Sequence, residues 1–391
     1  MALEYAQQAL DYDRYNIVAY QVRATTYRKL NQPKLARRAL EQVLEIDPLN
    51  HLARFELYLL QPNNKSLKNF QSMIRNELPH ENYIEMATYY VRLGLDAEAA
   101  KLLKYAPEYP TVYYWLGYLI RNNAPAESQM YLEKARSLSA ERVFPFREES
   151  IPVFQWAIET CPSDWKAKYY LGLIYWNKKR MQDARESFDD CDESDFAPLF
   201  ICRGHLYKEV NLKNAEADFE HAVKIDSKSW RTWHYLIDFY NEQGMFEKSL
   251  STSEKAFSIL PNESLLQVDM VRSLVNNKRY KQALSLLDTI QILPYEGATA
   301  IHHLFVRSHV HLAVENMEQG QYAKAIQHLQ DSKEYPERLG TGRPYDADFS
   351  LQQRLITVCN EKMAAENEKD RKFQMTDELS RLIEDMDAKR E

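Results

Sequence analysis

From Trp230 the chain reads WRTWHYLIDFYNEQGMFEKSLSTSEKAFSILP. Trp233, Leu236 and Tyr240 recur at spacings of three and four, which places them on one face of a helix. Gly244 interrupts the pattern, Ser249, Ser253 and Ala256 mark a second helix, and Pro261 stops it. An apolar stripe on each helix, with small residues on the second, predicts an antiparallel hairpin whose axes approach closely.

The pattern returns about every 34 residues. One copy runs from Ile17 through Tyr20, Ala24, Tyr27, Ala36, Leu40, Val43 and Pro48, and another from Trp165 through Leu171, Gly172, Tyr175, Ala184 and Phe188. Others begin near His80, Pro110, Ala197 and Ser264, and a late copy carries Gly320, Ala325, Leu329 and Pro336. The stretch over 51–79 keeps only Leu57, Phe70, Met73 and Pro79. Gly117, Gly172 and Gly204 fall where helices pack closest, whereas Gly94, Gly244 and Gly320 fall in the turns inside hairpins. Only Gly297, Gly340 and Gly342 lie outside this register, and no strand-like alternation of any length occurs.

An aromatic at the fourth place, Leu-Gly at the seventh and eighth and Tyr at the eleventh resemble the tetratricopeptide repeat. So do the small residues of the second helix and the late Pro. The resemblance implies an all-α fold, an α-α superhelix of antiparallel hairpins. The expected layout is a repeat solenoid over 1–344, with its first hairpin incomplete, and a C-terminal helical cap over 345–391. The opening MALEYAQQALDYDRYN reads as a second helix without its first, so the natural protein is expected to extend upstream.

Composition narrows the function classes. The chain is 45% hydrophobic and 27% charged, enough apolar material for a core and unlike a disordered polar chain. A net charge of -7, with no basic stripe interleaved with aromatics, argues against nucleic acid as a partner. No apolar run approaches the roughly 20 residues of a membrane span, and MALEYAQQAL reads as an amphipathic helix rather than a signal peptide. Cys161, Cys191, Cys202 and Cys359 are dispersed without a CxxC pair, so neither a disulfide framework nor a zinc knuckle is indicated. A cytoplasmic setting is favoured over a periplasmic one.

The stretch FPFREESIPVFQWAIETCPSDWKAKYYLGLIYW from Phe144, LPYEG (Leu293–Gly297) and KEYPERLGTGRP (Lys333–Pro344) carry a second resemblance. Over roughly 140–345 the chain resembles the repeat-bearing tail of bacterial proteins with the β-rich domain of unknown function 5107. Their β-rich domain is similar to mutarotase-like sandwiches, which implies that any sugar chemistry resides mostly outside this chain. Ala298-Thr299 departs from that family's small residues after LPYEG.

The repeat resemblance also implies a concave groove lined by first helices. Its inward positions include Tyr114, Tyr118, Arg121, Tyr169, Leu173, Trp176 and Asn177 in the first half. In the second half they include His205, Arg231, His234, Asp238, Asn241 and Arg272. Aromatic rings of this kind suit peptides or sugar faces, although some can simply pack between repeats. The basic and amide clamp of chaperone-tail adaptors is not supplied by any three consecutive repeats. Phe144, Phe146 and Arg147, Tyr295 and Glu296, and Arg338 and Arg343 lie in loops that break the register, and are expected to dock another domain.

His302 and His309 stand seven residues apart, about 10 Å along a helix and too far for one ion. With His303 and His311 they read as ordinary helix-surface histidines, so no metal, no cofactor and no catalytic residue is expected. The leading expectation is a noncatalytic scaffold that binds a protein or peptide, its own upstream domain included, through the groove and loops. The alternative is an accessory module of a carbohydrate-active enzyme, with Glu148, Glu149 and Glu296 as loop carboxylates beside a glycan.

Overall fold

The computed structural model describes residues 1–191, 194–294, 299–365 and 371–388. The chain divides into two compact units, Met1–Ser194 and Asp195–Glu391, and every regular element among the described residues is helical.

In the first unit α1 (Ala2–Tyr12) packs on α2 (Ile17–Lys29), which pairs with α3 (Pro33–Ile46). Three hairpins follow: α4 (His51–Leu60) with α5 (Asn64–Ser72), α6 (Pro79–Arg92) with α7 (Asp96–Leu103), and α8 (Pro110–Ile120) with α9 (Pro125–Ser137). An extra helix, α10 (Ile151–Thr160), packs on α8 and α11 (Trp165–Asn177), which pairs with α12 (Met181–Asp189). The second unit pairs α13 (Ala197–Tyr207) with α14 (Leu212–Ile225) and α15 (Trp230–Glu242) with α16 (Phe246–Ile259). It continues with α17 (Ser264–Asn276) and α18 (Tyr280–Leu287), then α19 (Ala300–Glu318) and α20 (Tyr322–Asp331). Last come α21 (Ser350–Ala364) and α22 (Asp377–Ala388). Leu355 and Cys359 of α21 and Leu379, Ile383 and Met386 of α22 share one apolar core with Val310, Ala325 and Leu329 of the hairpin before them.

Local sequence fixes the ends of these helices. Asn16, Asn50, Asp164 and Asn211 each accept a hydrogen bond from the backbone N–H three residues on, satisfying a donor that the helix itself cannot. In several hairpins the turn holds one residue in the left-handed region, which Gly94, Gly244 and Gly320 adopt at no steric cost. Asn31, Lys179 and Lys278 hold the same conformation at equivalent turns, with φ of 55°, 60° and 58°. A Cβ is strained there. Lys278→Gly is therefore expected to stabilise the second unit by roughly 0.5–1 kcal/mol, measured as a higher denaturant midpoint. A lower midpoint would show that the Lys278 side chain contributes more than its backbone strain removes.

Close approach of the helices depends on glycine at one position. A Cβ on Gly172 of α11 would lie 2.4 Å from the Phe188 ring of α12, and one on Gly204 of α13 would lie 3.0 Å from the Phe219 ring of α14. Phe188 and Phe219 are both fully buried, so the second helix of each hairpin drives a ring into the place that glycine vacates.

Candidate functional site

The first helices of the second unit carry polar side chains that meet across one repeat. Asp238 of α15 accepts from Arg272 Nη1 of α17 at 3.0 Å, and Asn276 Nδ2 donates to Asn241 Oδ1 at 3.0 Å. His234 Nδ1 and Asp269 Oδ2 are 2.8 Å apart, and Lys208 of α13 pairs with Glu242 of α15. Helices stacked in register bring positions 34 or 35 residues apart to the same height, so each contact joins equivalent places in neighbouring repeats.

The Arg272–Asp238, Asn276–Asn241 and Lys208–Glu242 pairs line a groove of about 700 Å³, with Arg307 and Asp387 among its other residues. Its far end is closed by α22, where Asp387 accepts from Arg307 Nε at 3.0 Å and lies 3.0 Å from His311 Nε2. Burial alone would raise Asp387, but the His311 hydrogen bond and charge and the Arg307 guanidinium outweigh it and hold it below the usual carboxylate range. Outside the groove lining, α13 and α15 carry an aromatic cluster. The His205 ring stands edge-on to Tyr235 at 4.9 Å, Trp230 lies beside His234, and the Arg231 guanidinium sits 4.4 Å above Trp230.

Two features of these pairs concern their chemistry. Among the described residues, Asn241 Nδ2 is buried without a hydrogen-bond partner, on a residue of the groove lining. Asp269 is fully buried beneath His234 and its Oδ1 likewise lacks a partner. Burial pulls His234 down, yet the Asp269 hydrogen bond and charge win and raise it above its ordinary value. Asp269 is raised by burial, with His234 working against the shift. His205 is lowered, first by burial and then by Lys208.

Of the residues expected in the groove, Asp238, Asn241 and Arg272 line this cavity together, whereas His205, His234 and the exposed Arg231 are not in its lining. The first unit is different. Tyr114 and Tyr169 are 0% and 1% exposed, packed in the interior rather than facing a groove. The Tyr114 hydroxyl donates to the buried Asp164 at 2.8 Å, and Tyr169 lies against Phe188. The apolar face of a first helix and its groove face adjoin, and the rings turned inward. Tyr118 is half-buried with Arg121 3.7 Å above its ring, Leu173 and Trp176 are half-buried, and Asn177 is exposed.

Of the loop residues, Arg147 is anchored within its own unit, its Nε donating to Glu81 at 2.8 Å and its Nη2 reaching Glu85 at 3.3 Å on α6. Buried Val143 holds the same loop, which leaves Phe144 69% and Phe146 45% exposed. Arg338 ties its loop to α18 through the Leu287 carbonyl at 3.0 Å and Asp288, and Arg343 lies 5.1 Å from the Phe349 ring. Tyr295 and Glu296 lie outside the described residues. Glu148 pairs with Lys178 at 3.2 Å and Glu149 with Arg92.

The α19 histidines, expected on the helix surface, are not all there. His302 and His309 are buried, His302 stacking on Tyr335 at 3.9 Å. His309 Nδ1 is 3.2 Å from His328 Nδ1 of α20, and burial followed by the His328 charge lowers His309 to about 4. Lys208, Asn276, Arg307 and Asp387 were missed as groove residues. Lys208 and Asn276 were accessible from the one-repeat spacing of their partners, whereas Arg307 and Asp387 meet across 80 residues with no periodic signal.

Residues 146–198 and 17–48 match models of the tetratricopeptide repeat family. A comparison with curated proteins gives no match. Among solved structures, a tetratricopeptide repeat protein from Parabacteroides merdae is 14% identical, covering 72% of this chain and 98% of its own, with a TM-score of 0.34. The C-terminal part of a repeat-containing protein from Cytophaga hutchinsonii is 15% identical over 63% of this chain and 93% of its own, with a TM-score of 0.36. Yeast Tom70 is 15% identical over 92% and 84%, with a TM-score of 0.30. Likenesses this low carry no argument about function. The chain thus carries tetratricopeptide repeats at 17–48 and 146–198, and hairpins of the same build, several with glycine or a left-handed residue at the turn, recur in both units.

Proposed function

We propose that the chain is a noncatalytic scaffold whose second unit binds an extended segment of a partner protein in the α13–α19 groove. The observation that carries this is the amide pair Asn241–Asn276, with Asn241 Nδ2 buried in the wall and unpartnered. A carboxamide offers a donor and an acceptor side by side, the complement of a peptide main chain. Lys208, Arg272 and Arg307 flank it, each already balanced by Glu242, Asp238 or Asp387. Such a wall selects polar, hydrogen-bonding segments over strongly charged ones. The carbohydrate reading has less support, since Glu148 and Glu149 are held by Lys178 and Arg92.

Panning of displayed random peptides against the whole chain tests the proposal. Enriched peptides are expected to bind wild type at least 10-fold more tightly than Asn241→Ala/Arg272→Ala, the loss of about 1–3 kcal/mol that an unsatisfied polar contact costs. Equal affinity for that variant, or enrichment only on a glycan array, would overturn it.

A further inference from the structure

The paired imidazoles of the last regular hairpin are not used by the groove. His309 projects from the middle of α19, and His328 and Asp331 stand three residues apart at the end of α20, on the side that faces α19. One ligand atom from each of the three lies within 4.8 Å of the other two.

We propose that His309, His328 and Asp331 form a three-ligand site for a divalent transition-metal ion of the zinc class, joining α19 to α20.

The spacing suits such an ion. Two nitrogens each about 2.0–2.1 Å from a tetrahedral centre lie roughly 3.4 Å apart. The two Nδ1 atoms here are 3.2 Å apart. Their lone pairs would face each other unless one carries a proton, and a cation between them removes the conflict by using both. Asp331 supplies negative charge, and its Oδ1 is oriented by Gln327 Nε2 at 2.8 Å, the kind of outer hydrogen bond that steadies a ligating carboxylate. The Phe305 ring packs edge-on against His309 at 4.6 Å and shields one side. Three protein ligands leave one coordination position open on the half-exposed His328 side. Nitrogen and oxygen donors at this spacing favour zinc, cobalt or nickel over calcium or magnesium, which take more oxygen ligands.

The competing reading is a plain imidazole–imidazole hydrogen bond. Metal-free protein without a histidine tag, titrated with Co²⁺, separates the two. The expected result is one equivalent of Co²⁺ with the intense visible bands of a four-coordinate ion, displaced by Zn²⁺, and a higher melting temperature with either metal. His328→Ala, at a half-exposed position, should lose at least 10-fold in affinity, and Asp331→Asn should lose less. His221→Ala, an exposed histidine on α14, should bind as wild type. No stoichiometric Co²⁺ spectrum in wild type, or a spectrum unchanged in His328→Ala, would overturn the proposal. Both outcomes are independent of peptide binding in the groove.

Discussion

Glu56→Ala is expected to destabilise the first unit by about 3–5 kcal/mol, the cost of leaving one member of a buried ion pair alone. Glu56 on α4 is 1% exposed, accepts from Arg28 Nε at 2.7 Å and Nη2 at 3.0 Å, and takes a further hydrogen bond from Tyr90 at 2.8 Å. Arg28 belongs to α2 and Tyr90 to α6, so one carboxylate fastens three successive first helices. Arg28 also reaches Glu98 at 3.3 Å, which cannot replace a bidentate partner. Hydrogen exchange of α2, α4 and α6 across a denaturant series measures the effect without assuming that both units unfold together. A loss below about 1 kcal/mol would mean that water reaches the site. The double change Glu56→Leu/Arg28→Met removes both charges and should recover most of the loss, because well-packed apolar side chains can replace a buried pair.

Asp269→Ala is expected to cost about 3 kcal/mol in the second unit, since it strips the His234 imidazole of its buried partner. The same pair sets a pH dependence. His234 is raised in the folded chain, so its contribution is complete below the unfolded value near 6.5 and is lost as pH rises through the raised value. Asp269 is also raised, by burial, so its share has the same sign and falls as pH climbs from about 3.9 through its own raised value. The stability difference between wild type and His234→Gln should therefore shrink as pH rises above about 6.5. Taking the difference matters, because His205, His302, His309 and His328 are lowered and slope the other way in both proteins. A difference that grows with pH would show that Asp269 does not hold the imidazolium.

The hairpins were legible because their signals are local. Spacings of three and four, caps at Asn16 and Asn50, and glycines at the turns each depend on residues within one or two helical turns. Lys179 and Lys278 at the same turns were not, because a lysine announces nothing about a left-handed backbone that packing imposes on it. The groove was half legible. Asp238, Asn241 and Arg272 followed from repeat position, whereas Tyr114 and Tyr169 at like positions went inward. Position within a repeat fixes a direction to within a helix face, and burial of a large ring decides the remainder.

The sequence by itself determined an all-helical chain of paired hairpins, where each turns, and which face of each helix is apolar, since these follow from periodicity, capping and side-chain size. Tertiary structure alone decided that Glu56 joins three helices, that Asp387 from the last helix closes a groove begun 179 residues earlier at Lys208, and that His309 faces His328. Each of these is a contact between helices, and its energy depends on distance and burial, which appear only when the hairpins stack.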